Sequence, residues 1–184
     1  MTEHIMNLIL LPMKTTITMH WGTHMNYNIR KIREDEYYLL DDFLYEAIFI
    51  PEGITPPPRS IIHQPELQVY VRNFGKGKDD ICFVAESEGK VVGAVWVRDM
   101  DDYGHIADGV PSFAISLYKG YRNCGIGTRL METMLKELKF SGYGRASLAV
   151  QKANYAVRMY KKVGFVVVDE NDEEYIMACD LQNI

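Results

Sequence analysis

Apolar positions along this chain fall into two rhythms. In residues 34–48 they recur at Tyr37, Leu40, Leu44, Ala47 and Ile48, steps of three and four that lay one apolar stripe on a helix. Pro51 and Gly53 mark its end. The same rhythm returns at Ile126, Leu130, Met134, Leu135 and Leu138, predicting a helix over 126–140 with Gly142 just beyond it. A shorter helix is expected over 154–163. The Asn154 amide oxygen suits its N-cap, Lys161 and Lys162 sit where the dipole favours cations, and Gly164 supplies a left-handed exit. Another is expected over 65–73. The second rhythm is the strand's. Residues 81–86 and 90–98 are rich in Val, Ile, Phe and Trp and flank Glu88-Gly89, a hairpin signal. Tyr27-Asn28-Ile29-Arg30 and residues 110–118, 145–150, 165–168 and 175–181 read as further strands, with an acidic turn over 169–174.

The order is strand, two helices, three strands, helix, strand, helix, two strands, which specifies a mixed α/β layer fold in one domain. Residues 1–25 lack steady periodicity and read as an N-terminal extension, partly disordered, before a domain over 26–184. The stretch PEGITPPPRS forbids regular helix or central strand. It reads as a rigid loop suited to walling a substrate site.

Charge and cysteine usage narrow the function classes. The formal net charge is −5 and the pI about 5.5, so a nucleic-acid-coating surface is not expected. Three cysteines, Cys82, Cys124 and Cys179, make neither a disulfide framework nor a CxxC zinc pair, and a reducing cytoplasm is the simplest setting. No apolar run approaches a membrane span. No metal set stands out: His20 and His24 are four residues apart in HWGTH, without a third ligand. Oligomeric state is open, and a homodimer is compatible with the pattern.

Candidate chemistry concentrates in SFAISLYKGYRNCGIGTRLMETML, where a strand runs through the loop RNCGIG into a helix. A helix start leaves N–H groups unsatisfied and carries partial positive charge, and a phosphate or diphosphate satisfies both. Gly125 and Gly127 let a bulky anion approach the main chain, Thr128 offers a hydroxyl, and Arg122 adds charge. The loop lacks the third glycine of the dinucleotide fingerprint and the GK[ST] of a P-loop. It does match R/Q-x-x-G-x-G/A, and QKANYAVRMYKKVGF follows about thirty residues on with N-x5-Y-x3-GF. On these residues the chain resembles GNAT-superfamily N-acetyltransferases.

The resemblance implies a GNAT-like fold: a central, mostly antiparallel, splayed sheet of about seven strands flanked by about four helices. It also implies an enzyme that moves an acetyl group from acetyl-CoA to a small-molecule or peptide amine, by direct attack through a tetrahedral intermediate. The CoA diphosphate then lies on Arg122, Asn123, Gly125, Ile126, Gly127 and Thr128, mostly through main-chain N–H groups. The pantetheine arm pairs with Ile115, Ser116 and Leu117, and Asn154 contacts it. The Leu117 N–H is the implied oxyanion donor, an arrangement that lowers a barrier by about 3 kcal/mol. Tyr160 is the implied proton donor to the departing thiolate; its own helix face makes core packing the competing role. Cys124 reads as loop filler, because no base partner is evident for a covalent route.

The base is less legible. Residues 113–117 contain no carboxylate, where some relatives place one. Glu46, Glu52, His105, Asp108 and a water chain are the candidates, and His105 is favoured because histidines suit proton pickup near neutral pH. The missing strand carboxylate keeps an alternative alive: a non-catalytic acyl-CoA-binding regulatory module. A transferase for a longer acyl group is a third reading.

Overall fold

A computed structural model describes residues 26–184. The expectations for the N-terminal extension and for His20 and His24 lie outside the described residues. One sheet of seven strands organises the rest, in the order β1-β2-β3-β4-β5-β7-β6. The strands are β1 Asn28–Lys31, β2 Ile81–Ser87, β3 Lys90–Arg98, β4 Ser112–Leu117, β5 Arg145–Gln151, β6 Val166–Glu170 and β7 Glu174–Asp180. Four α-helices flank it: α1 Leu39–Ala47, α2 Pro65–Gln68, α3 Ile126–Phe140 and α4 Val157–Lys162. All neighbouring strands are antiparallel except β4 and β5. The expected mixed, mostly antiparallel fold is the observed one.

Local chemistry explains the elements that match expectation. The β2–β3 turn puts Glu88 at φ 52° and Gly89 at φ 75°. Two successive positive φ values match the twist of a two-residue hairpin. In α3, Ile126, Leu130, Met131, Met134, Leu135 and Leu138 are each at most 2% exposed. They pack with Val95, Val97 and Leu148 from one sheet face. Each such burial stabilises by roughly 1.5–3 kcal/mol, so the helix is held by packing more than by propensity. The opposite sheet face carries Val84, Ala94 and Trp96 against Leu40, Phe43 and Leu44 of α1.

Three helices are shorter than expected, each because a side chain takes over a backbone role. The span 34–48 breaks into a 3-10 turn, Glu34–Glu36, and then α1. Glu36 turns inward, accepting from Arg30 at 2.7 Å and from the Arg33 N–H at 2.9 Å. The Arg30 hydrogen bond chiefly holds the Glu36 carboxyl down, to about 2, against the opposing effect of burial. The span 65–73 shrinks to α2 because β3 claims its carbonyls. Arg98 donates to the Val69 and Arg72 oxygens, each at 3.0 Å, and the Trp96 indole donates to the Tyr70 oxygen at 3.1 Å. The span 154–163 starts later, at Val157. Asn154 caps the turn leading into α4, its Oδ1 accepting the Ala156 N–H at 2.9 Å. Finally, β6 runs on to Glu170, so the last turn is shorter than the acidic run.

Candidate active site

The parallel pair β4–β5 is joined at a single register point, Ser112 with Ser147. Beyond it the strands part. The free edge of β4 can be deduced from its other side. The Tyr118 N–H donates to the Val92 oxygen at 3.1 Å, which makes 118–92 a hydrogen-bonded pair. Antiparallel pairs alternate. Ser116, opposite Ala94, therefore also bonds to β3, while Ile115, opposite Val95, and Leu117, opposite Gly93, turn their N–H and C=O toward the gap. The Leu117 oxygen accepts from Arg122 Nε at 2.8 Å. Its N–H is left facing the opening.

A cleft of about 1050 Å³ fills the gap. That is at the upper end of the roughly 300–1,000 Å³ of small-molecule sites. Ile115, Ser116, Leu117, Arg122, Asn123, Gly125, Gly127, Thr128, Asn154 and Tyr160 all line it. Ile126 does not; its side chain is fully buried beneath α3, and its main chain opens the helix. Gly125 precedes α3 at φ 80°, a left-handed conformation that strains other residues, and among the described residues no side chain caps the helix start. The first-turn N–H groups are therefore free for an external acceptor. Two further cations line the cleft, Lys119 and Arg158.

Leu117 is held where strand and helix start meet. A Cβ at Gly93 would lie 2.8 Å from Leu117 Cγ, and one at Gly127 would lie 3.4 Å from its Cδ1. Glycine on both sides lets this side chain fit between β3 and α3. Ser116 is turned to the α1 face, where its hydroxyl donates to the Phe43 oxygen at 2.6 Å. Removing this buried hydrogen bond means that Ser116→Ala is expected to lower stability by about 1 kcal/mol. A denaturant midpoint measurement checks this, and CoA affinity should stay within about threefold of wild type because the hydroxyl faces away from the gap.

Tyr160 is 8% exposed and packs edge-on against Phe165, ring centroids 6.1 Å apart. Burial, with a smaller contribution from Tyr155, pushes its phenol well above the ordinary value, so the hydroxyl stays protonated at working pH.

The base candidates separate. Glu46, at the end of α1, lines the cleft. Its carboxylate accepts from Arg122 Nη2 at 2.8 Å, a pair across 76 residues that no local pattern signals. The same contact turns the Arg122 guanidinium toward Leu117 and Glu46. Glu52 is exposed in the proline loop and is not among the lining residues. His105 and Asp108 lie on the loop before β4, also outside the lining. His105 Nδ1 is 3.2 Å from the Met100 oxygen, and its Nε2 is 3.8 Å from exposed Asp108. The chemistry of imidazole favoured His105 but carried no information about its position. Pro51, Ile54 and Pro56 of the proline loop line the cleft, as expected of a substrate-side wall, whereas Lys119, Arg158 and the stretch Ala47 to Ile50 carry no signal in the sequence, since only the fold brings them to the gap. Cys124 is exposed, its Sγ 3.3 Å from the Arg122 oxygen.

A mixed sheet parted between two parallel strands, with a glycine-led helix start at the parting, makes a cleft suited to an anionic ligand lying along a strand edge. Comparison makes this specific: residues 28–165 match the family model described as Acetyltransferase (GNAT) family, and the chain belongs to that family. An N-alpha-acetyltransferase of Sulfurisphaera tokodaii is 30% identical over 115 residues, covering 54% of this chain and 68% of the relative. The PaiA N-acetyltransferase of Thermoplasma acidophilum, solved in complex with coenzyme A, superposes with a TM-score of 0.64 at 20% identity, covering 85% of this chain and 99% of that one. The ribosomal-protein-S18-alanine N-acetyltransferase of Escherichia coli gives a TM-score of 0.59 at 16% identity over 85% of this chain and 94% of that one. Among the described residues, no helix is long and apolar enough to cross a membrane, and no cluster of His, Cys, Asp and Glu could hold a metal.

Proposed function

We propose that this enzyme transfers an acetyl group from acetyl-CoA to a primary amine by direct attack, in a cytoplasmic setting. One observation carries the reading: Leu117 with its free N–H, the start of α3 and Tyr160 all line one cleft at the parting of β4 and β5. The three cysteines are free, as in a reducing compartment. Acetyl-CoA supplies an activated acyl carbon on a thiol leaving group. The N–H groups of Gly125, Ile126, Gly127 and Thr128, with Lys119 and Arg158, hold its phosphates. Ile115 offers main-chain groups to the pantetheine amides, and Asn154, its Oδ1 engaged with Ala156, keeps its NH2 to donate.

The amine lone pair forms the new C–N bond as the carbonyl electrons move to oxygen, where the Leu117 N–H donates a hydrogen bond to the developing oxyanion. Collapse restores the carbonyl and breaks the C–S bond. Tyr160 gives its proton to the sulfur and is reprotonated from solvent. The proton lost by the amine goes to water, because Glu46, the one carboxylate lining the cleft among the described residues, is engaged by Arg122.

Calorimetry with CoA and thiol release from acetyl-CoA with amine acceptors test this together. Tight CoA binding with no turnover for any acceptor would leave an acyl-CoA-binding module instead. A transferase for longer acyl groups would show higher kcat/KM with the longer thioester. The water route predicts a pH dependence. With a peptide acceptor, whose α-amino group titrates at about 7.7–8.0, kcat/KM rises with pH and levels off there. With an acceptor of different amine pKa, the inflection moves with the acceptor. An inflection that stays put would assign the proton to an enzyme base.

A further inference from the structure

One wall of the cleft is made by the chain leaving α1. Ala47, Ile48, Phe49, Ile50, Pro51 and Ile54 all line it, and Ile54 is 60% exposed. Large aliphatic side chains presented to a cleft, rather than folded into the core, mark a surface awaiting an apolar partner. The wall is braced in place. The Tyr45 hydroxyl donates to the Pro57 oxygen at 2.7 Å, and the Arg59 guanidinium lies 4.8 Å from the Tyr45 ring centroid while pairing with Asp42. Successive prolines from Pro56 to Pro58 stiffen the return path. Little ordering is left to occur on binding.

The charges on the lining discriminate further. Among the described residues they are Glu46, Lys119, Arg122 and Arg158: three cations and one anion, and the anion is already paired with Arg122. The acidic turn between β6 and β7 contributes no lining residue. With Lys119 and Arg158 turned to the CoA phosphates, a second ammonium on an acceptor would meet hydrocarbon, and among the described residues no free carboxylate lines the cleft to compensate its lost hydration.

Resting on the amine-acetylating function proposed above, we infer that the acceptor is a primary amine flanked by an apolar group and carrying no second positive charge. Polyamines and aminoglycosides are thereby rejected. Two sources share the required chemistry: a peptide N-terminus with an apolar first side chain, and a free arylalkyl or alkyl amine.

The full chain, acetyl-CoA and a thiol-release assay test this. The probes are peptides beginning with Leu or Phe, matched peptides beginning with Lys, phenethylamine, and spermidine. The expected result is a kcat/KM for the Leu or Phe peptide, or for phenethylamine, at least about 100-fold above that for spermidine, the scale on which an unpaired polar group is discriminated. Whichever of the peptide and phenethylamine is faster identifies the source. Spermidine or the Lys peptide turned over equally well would overturn the inference and leave the acetyltransferase function standing. CoA binding without turnover of any probe would instead remove that function, and the inference with it. A second measurement uses Ile54→Asp, at an exposed position that folding does not depend on. It should cut the apolar-to-spermidine preference by about tenfold. An unchanged preference would show that this wall does not contact the acceptor.

Discussion

Tyr160→Phe should lower kcat by about 100- to 1,000-fold while the Kd for CoA changes by less than about twofold, because general-acid assistance is worth 10²–10⁴ in rate and the ring that remains keeps the packing. The phenylalanine retains the edge-on contact with Phe165, which in turn packs edge-on against Phe113 at 5.6 Å. Only the hydroxyl is lost. Burial makes that hydroxyl a reluctant acid, which is compatible with the role. Its task is to hold a proton at all working pH values and surrender it when a thiolate forms against it. Without the donor, CoA must leave as a bare thiolate into a partly apolar cleft, and the C–S cleavage step slows. Thiol release under saturating substrates gives kcat, calorimetry gives Kd, and thermal unfolding should show the variant within about 1 kcal/mol of wild type. Wild-type turnover in a folded variant would reduce Tyr160 to a packing residue, the role its helix face alone suggested.

The parts of the fold written in neighbouring residues were readable in advance, and those made by distant ones were not. The helix over 126–140 was legible to the residue because its apolar stripe and its flanking glycines are local. The β2–β3 hairpin was legible because Glu88-Gly89 supplies the turn conformation by itself. The overestimated helices failed for a different reason. Nothing within 65–73 announces that Arg98 and Trp96, some 26 to 29 residues away, will take its carbonyls. Nor does the stripe over 34–48 reveal that Glu36 will leave it for Arg30. The candidate site divides the same way. RNCGIG is readable because a glycine-led helix start binds anions through its own main chain. The free Leu117 N–H needed the register of β3 against β4 and the parting of β5, neither of which is a local property. His105 and Glu46 show the limit from the other side: proton chemistry ranked histidine first, but only the glutamate reaches the cleft, and there it finds an arginine.

Gly127→Asp should weaken CoA binding by at least about 100-fold, close to 3 kcal/mol, without unfolding the protein. Gly127 is the second residue of α3 and lines the cleft. A Cβ there would meet Met159 Sδ at 3.2 Å and Leu117 Cδ1 at 3.4 Å, both at ends of flexible side chains that can move by a few tenths of an ångström. Bulk alone is therefore tolerable, and Gly127→Ala should cost less than about tenfold in affinity. The carboxylate is different. In the first turn of a helix it is favoured by the dipole, by roughly 0.3–1 kcal/mol, and replacing glycine within a helix adds a similar gain. The free protein is therefore expected to melt at the same temperature or slightly higher. The same side chain competes for the very N–H groups a diphosphate would use and sets a negative charge against it, a juxtaposition costing several kcal/mol. Stability and binding should thus move in opposite directions, which separates loss of a site from loss of a fold. Thermal unfolding and calorimetry on the glycine, alanine and aspartate forms supply both readings. If the aspartate form bound CoA as tightly as the glycine form, the diphosphate would have to lie away from the start of α3, and the chemistry built on that helix would have to be relocated with it.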